Sequence, residues 1–326
     1  MQTTDLMRRS VGLMIAAILA LPVFTGGLYA DDKVTLALPG QSMGYLPLKV
    51  AIHRGFFKDE GIDIETPRLM PNLAHNGLMS GQVDYHGVAD SGLALAAKGA
   101  PIKAIFYGAD RPMYFLLSGS RIKSVKDLKG KKIGISRFGG TTDLAARLVL
   151  RHFGVEPDKE ATILQIGGES TRVAALKSTS VDAVMVTVPN NILLRDQGFN
   201  NLAFVGDVVE FASNGYTTTD ARIRERPEEV KKVLRAIYRG LRYAKENRDG
   251  TVDVIKREWK IDEDVAAKSY EAIVKALNED GIIGEKQLKV HFDLIRKRHK
   301  DVTDIPVDKV VNFTLLKEVR RELSGK

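Results

Sequence analysis

The stretch GKKIGISRFGGTTDLAARLVLRHFG, residues 130–154, decides how the rest of the chain is read. Ile133 and Ile135 alternate with Gly134 and Ser136 after a lysine pair, the period-2 pattern of a pleated strand. Gly139-Gly140 breaks it. Leu144, Ala145, Leu148, Val149 and Phe153 then recur at helical spacing; Thr141 and Thr142 are placed to cap that helix, and Gly154 to end it. A strand feeding a glycine turn and a helix start presents free N–H donors and the positive end of the helix dipole. That suits an anion or an oxygen-rich ligand. The plain alternative is an ordinary strand-to-helix turn. Gly134-Ile135-Ser136-Arg137-Phe138 falls short of a G-x-S-x-G nucleophile elbow, since Phe138 stands where the second glycine is needed, and no P-loop or dinucleotide fingerprint is completed.

Working outward, the same design occurs earlier. Residues 33–38 alternate as a strand, Gly40 to Gly44 form a loop, and Pro47 sits at the first turn of a helix that stops at Gly55. A strand at 62–65, a helix at 72–80 ended by Gly81, a strand at 83–88, a helix at 91–97 and a strand at 102–107 follow. Leu78, Ser80, Val83 and Asp84 reappear as Leu176, Ser178, Val181 and Asp182, each displaced by 98, and Val34 is matched by Ile133 at 99. That period is too long for a solenoid and reads as two α/β lobes of one design. Strands alternating with helices imply mostly parallel sheets, whose ligands bind at the carboxyl ends of the strands.

The N-terminus is different. Arg8-Arg9 precede an apolar run from Val11 to about Phe24, then Leu28-Tyr29-Ala30 ahead of Asp31-Asp32. This reads as a secretory signal peptide over residues 1–30, cleaved after Ala30, which places the protein in the periplasm. A retained membrane anchor is the alternative, although Pro22 and Gly26-Gly27 interrupt the run. With no cysteine in 326 residues there is no disulfide framework, lipid-attachment site or thiol nucleophile. Losing Arg8, Arg9 and Asp5 takes the formal charge from +8 to +7. The excess lies mainly in C-terminal helices such as Arg296-Lys297-Arg298 and Arg320-Arg321, and export further argues against nucleic acid as a partner.

Residues 113–118 and 214–219 read as the two hinge strands. The division is then 31–118 for the first part of lobe 1, 119–214 for lobe 2, and 215–326 for the return to lobe 1. From Pro227 onward the chain reads as helices, near 251–258, 262–279, 285–299 and 306–323, covering lobe 1 and the hinge.

Taken together, several segments resemble the solute-binding proteins of ABC importers, of the nitrate, sulfonate and taurine type that also includes binders of thiamine-precursor pyrimidines. They are Gly44-Tyr45-Leu46-Pro47, His53-Arg54-Gly55-Phe56-Phe57-Lys58-Asp59-Glu60-Gly61-Ile62, Leu78-Met79-Ser80-Gly81-Gln82-Val83-Asp84, Val125 to Ile133, and Val181-Asp182-Ala183. The resemblance spans about residues 33–245. It implies an α/β type II periplasmic binding protein: two lobes joined by two hinge strands, closing on a ligand, with a helical C-terminal extension packed on lobe 1. It also implies a monomer that captures a small-molecule solute, without cofactor or metal, and delivers it to an ABC importer permease and its ATPase.

By position in that resemblance, lobe 1 lines the cleft with Gln41, Ser42, Met43, Gly44, Tyr45, Asn72, Asp90 and Ser91. Lobe 2 contributes Phe138, Gly139, Gly140, Thr141, Thr142, Glu169, Thr187 and Asn190, and Asn214 lies near the second crossing. Tyr45 and Phe138 could stack on a flat ligand or be core aromatics. Asp90 and Glu169 sit poorly beside a simple anion, so a carboxylate, a sulfonate and a nitrogen heterocycle all stay open. The rival class is an enzyme, because a pyrimidine synthase resembles these binders; it depends on a cysteine-rich motif that this chain lacks. The histidines His53, His75, His86, His152, His291 and His299 show no metal-ligand spacing. A sensory solute-binding protein is a further alternative.

Overall fold

The computed structural model describes residues 32–209, 211, 213–298 and 305–325. The expected signal peptide, and His299, lie outside the described residues. Five strands form one mixed sheet: β1 (Asp32–Ala37), β2 (Ile62–Glu65), β3 (Tyr85–His86), β4 (Ile102–Ala109) and β10 (Ser213–Thr219). A second sheet holds β5 (Phe115–Ser118), β6 (Lys132–Ile135), β7 (Thr162–Gln165), β8 (Ala183–Val186) and β9 (Asn200–Phe204). The orders are β2-β1-β3-β10-β4 and β7-β6-β8-β5-β9. In each sheet one strand pairs in parallel with both its neighbours, β1 with β2 and β3, β6 with β7 and β8. One strand per sheet runs against the rest: β10 between β3 and β4, and β5 between β8 and β9.

These reversed strands orient the two halves. The chain leaves the first sheet at the carboxyl end of β4 and enters the second at the start of β5; it leaves by the carboxyl end of β9 and returns at the start of β10. A reversed strand begins at the edge where its neighbours end. Both crossings, residues 110–114 and 205–212, therefore connect the carboxyl edges of the two sheets. Most of the residues read as hinge strands, 113–118 and 214–219, are paired within the sheets as β5 and β10.

The repeat is visible at hydrogen-bond resolution. The Asp84 backbone N–H donates to Thr35 O at 3.0 Å and its carboxylate accepts from Thr35 N at 2.7 Å. Asp182 does the same with Lys132, at 2.9 and 2.8 Å. An aspartate before β3 thus locks the chain onto β1, and its counterpart before β8 locks the chain onto β6.

Core formation follows the patterns read from sequence. The helix Thr141–His152 buries Leu144, Ala145, Ala146, Val149 and Leu150, of which the last four pack with Ile133, Ile135 and Met185. Its N-cap is Gly140 with no side-chain cap bond, and Thr141 is already its first residue, so the expected threonine caps are not formed. In the other half, helix Leu46–His53 packs along Pro227–Glu246. There a Cβ on Gly240 would lie 2.1 Å from the Pro47 carbonyl oxygen, so the crossing is close enough to require glycine. Burying nonpolar faces of this kind is worth about 25 cal/mol per Å² removed from water.

The remaining helices are Arg248–Trp259, Glu263–Ile273, Glu285–Arg298, Val307–Val310 and Thr314–Ser324. The single helix expected over 306–323 is divided at residues 311–313. Asn312 N–H donates to Ala104 O at 2.9 Å, so this short segment extends the edge of β4 instead of continuing the helix. Besides packing on the first half, the layer touches the second: Glu263–Ile273 packs on Asn190–Arg195. Lys275 bridges to Asp207 at 2.7 Å and lies over the Phe204 ring. No helix among the described residues is long and apolar enough to cross a membrane.

Candidate functional site

The loops after the parallel strands all emerge at the two connected carboxyl edges. After β1 comes Ser42, whose hydroxyl accepts from Gly44 N at 3.2 Å and caps a short turn. Met43 and Tyr45 point into the core, fully and almost fully buried, and the Tyr45 hydroxyl donates to Gly87 O at 2.8 Å. Gln41 is exposed and donates to Glu258 O at 2.8 Å, tying the loop to the C-terminal helices. Gly44 and Asn214 are brought together: a Cβ on Gly44 would lie 2.1 Å from the Asn214 side chain. Asn214 itself sits at φ 55°, the left-handed region that asparagine tolerates better than most residues. Its amide donates to Ser213 Oγ at 2.9 Å.

Farther along the same edge, Asn72 is exposed on the helix Pro71–Ser80. Ser91 lies in the first turns of Ala89–Ala97, 3.4 Å from His75 Nε2. The Asp90 side chain lies outside the described residues. His75 meets His86 edge to face at 4.6 Å between ring centroids. His86 is completely buried and neither ring nitrogen has a hydrogen-bond partner among the described residues. Burial, reinforced by His75, pushes its pKa down to about 3, so the ring is neutral at physiological pH.

In the second half, Gly139 at φ 71° makes the turn, and its N–H donates to Asp143 Oδ2 at 2.7 Å. Thr142, almost wholly buried, accepts from Ser136 N at 3.0 Å. Side chains of the first helical turn therefore reach back to hold the loop. Phe138 projects at 54% exposure while its N–H donates to Gln165 Oε1 at 2.9 Å.

Glu169, Thr187 and Asn190 form one cluster. Glu169 Oε1 accepts from Thr187 N at 2.9 Å and Asn190 Nδ2 at 2.7 Å, and Oε2 from Thr187 Oγ1 at 3.0 Å. Buried Arg172 stands 3.8 Å from it and also donates to Met185 O and Gly167 O. The cis peptide Val188-Pro189 lies between Thr187 and Asn190. With its lone pairs engaged and a guanidinium behind it, this carboxylate is a fixed part of the loop framework. The objection that Glu169 would repel an anion is correspondingly reduced.

Sequence reasoning did not single out Glu258, which joins Gln41, Lys49 and His53, or Arg68, which continues the first sheet beyond β2 by bridging Leu38. Glu258 carries no local motif. Arg68 could have been found by treating the loop after β2 like those after β1 and β3. Among the described residues no group of three or more histidines and carboxylates gathers as for a metal ion.

With this geometry in place, comparison with known proteins is informative. The profile of the family described as "NMT1/THI5 like" matches residues 42–250. The riboflavin-binding protein RibY of Chloroflexus aurantiacus is 30% identical over 68% of this chain and 65% of its own length. The match thus spans slightly less than two thirds of that relative. The 4-amino-5-hydroxymethyl-2-methylpyrimidine phosphate synthase THI11 of Saccharomyces cerevisiae is 28% identical over 66% of this chain and 67% of its own. Among solved structures, the periplasmic aliphatic sulphonate binding protein SsuA from Escherichia coli superposes with a TM-score of 0.70. It has 15% identity and covers 86% of this chain and 92% of that one. The periplasmic binding protein fold expected from sequence is therefore the observed one.

Proposed function

The chain belongs to the NMT1/THI5-like family, and from that premise we propose that it is an exported solute-binding protein. In this reading it captures a small organic solute between its two lobes and hands it to the permease of an ABC importer. The observation that carries the reading is topological: both crossings join carboxyl edges, so the loops after β1 and β3 and those after β6 and β8 border one cleft bridged by the two crossings. The loops around Ser42, Gly44 and Ser91 form one jaw; those around Phe138, Gly140 and Glu169 form the other.

The enzyme reading has less support. The synthase relative is matched at 28% identity, and the cysteine-rich motif on which such synthases depend is absent from a chain with no cysteine.

The experiment is to export the protein, denature it and identify released small molecules by mass spectrometry, then repeat thermal unfolding with each. A genuine solute at a hundred times its Kd adds about 2.7 kcal/mol to stability. Gly140→Leu should abolish that gain while leaving the apo protein folded, because the added side chain must displace Arg137, whose Cγ and carbonyl oxygen lie 3.1 and 3.2 Å from the new Cβ. No released molecule and no stabilising solute would remove the reading.

A further inference from the structure

We propose that the solute is an amphipathic anion, its acidic group gripped by Arg68 from one lobe and Arg137 from the other, its nonpolar body held between Met70, Leu73 and Phe138. This inference rests on the solute-binding reading and narrows its ligand class. Arg68 lies in the loop after β2 and Arg137 in the loop after β6, both at the connected carboxyl edges. Each guanidinium folds against a glycine of its own lobe's first loop: Arg68 Nη2 lies 3.7 Å from where a Cβ on Gly40 would be, and Arg137 Nε 3.5 Å from one on Gly140. Each lobe thus carries an arginine against a glycine of its first loop, Arg68 reaching it from the loop after the edge strand β2 and Arg137 from within that loop itself.

Both side chains are exposed, and neither has a hydrogen-bond or ion-pair partner among the described residues. Structural arginines of this protein behave differently: Arg147, Arg222, Arg235 and Arg239 are each paired with carboxylates. Guanidinium groups match the oxygen pairs of carboxylates and sulfonates, and they strengthen as water is excluded. The carboxylates of these loops with described side chains are already satisfied, Glu169 by Thr187, Asn190 and Arg172, and Asp143 by Gly139 N–H and Arg147.

The apolar half of the argument is independent. Large apolar side chains left exposed among the described residues include Met70 at 64%, Leu73 at 54% and Phe138 at 54%. Met70 is two residues beyond Arg68 and Phe138 is next to Arg137, so each jaw carries a cation beside an uncovered hydrophobe. Surfaces of that kind gain by closing over a ligand with a matching nonpolar body.

Titration calorimetry with four probes tests this: naphthalene-2-sulfonate, 2-naphthoate, the neutral naphthalene-2-carboxamide, and methanesulfonate, which has a head and no body. The expected result is binding of one or both naphthyl anions, at least tenfold weaker binding of methanesulfonate, and none of the carboxamide. Arg68→Gln and Arg137→Gln should each weaken the anion at least tenfold with Arg→Lys losing less, Phe138→Ala should narrow the gap to methanesulfonate, and Arg121→Gln, exposed at the opposite edge of the second sheet, should leave binding unchanged. Which naphthyl anion binds more tightly distinguishes sulfonate from carboxylate. Equal binding of the carboxamide, or unchanged affinity in both arginine variants, overturns the proposal. If the molecule released from the purified protein is neutral or cationic, the proposal falls while the solute-binding reading stands; if nothing is released and no probe binds, both fall.

Discussion

At the scale of single residues, His86 is the group whose chemistry is most altered by the fold. It is completely buried beside His75 and stays neutral until about pH 3, whereas in the unfolded chain it titrates near its ordinary 6.5. A folded-state value below the unfolded one means that this histidine's contribution is fully present above about pH 6.5. It is lost as the pH falls from there toward 3, because only the unfolded chain takes up the proton. Within that window the loss amounts to about 1.4 kcal/mol per pH unit. His86→Phe, which keeps a ring against His75, should therefore flatten the decline in stability between pH 6 and 4 seen by urea unfolding; an identical slope would contradict it. His86 shows how little of this is local. The sequence shows a histidine beside Tyr85, and nothing in the neighbouring residues tells that both ring nitrogens will be enclosed.

At the scale of elements, the strand, glycine turn and helix of residues 130–154 were legible because hydrophobic periodicity and glycine act over a few residues. The caps were not. Thr142 and Asp143 bind backward to Ser136 and Gly139, a choice settled by the loop's path. The helix pair Leu46–His53 and Pro227–Glu246 is a stronger case, since its contact joins segments nearly two hundred residues apart and turns on Gly240. The atom facing that glycine is the backbone carbonyl of Pro47, which cannot rotate away as a side chain could. Gly240→Ala, favourable by helix propensity alone, should instead destabilise the protein by about 2–3 kcal/mol through overpacking. Equilibrium urea unfolding would measure it, and a neutral or stabilising effect would show that the helices can separate at little cost.

At the scale of the whole molecule, hinge closure is the motion that the two crossings allow. The absence of cysteine makes it easy to follow, because Lys98→Cys and Lys126→Cys would be the only thiols. Both positions are exposed, beyond the helix Ala89–Ala97 in one half and in the turn before β6 in the other. Dyes placed there should change their transfer efficiency when a solute binds, in a saturable manner that follows its affinity, whereas a constant efficiency would mean binding without lobe movement. Most of the strands and helices, the near-98-residue repeat and the two α/β lobes followed from the sequence by itself, since these depend on local periodicity and on turn residues repeated along the chain, and the type of fold from its resemblance to known solute-binding proteins. Only the tertiary structure decided that Met43 and Tyr45 face the core, that Glu169 is consumed by Thr187, Asn190 and Arg172, and that Arg68 and Arg137 each lie against a glycine of their own lobe's first loop. The physical reason is range: burial and pairing are set by residues far apart in the chain, and the composition of a loop does not reveal which neighbours will satisfy it.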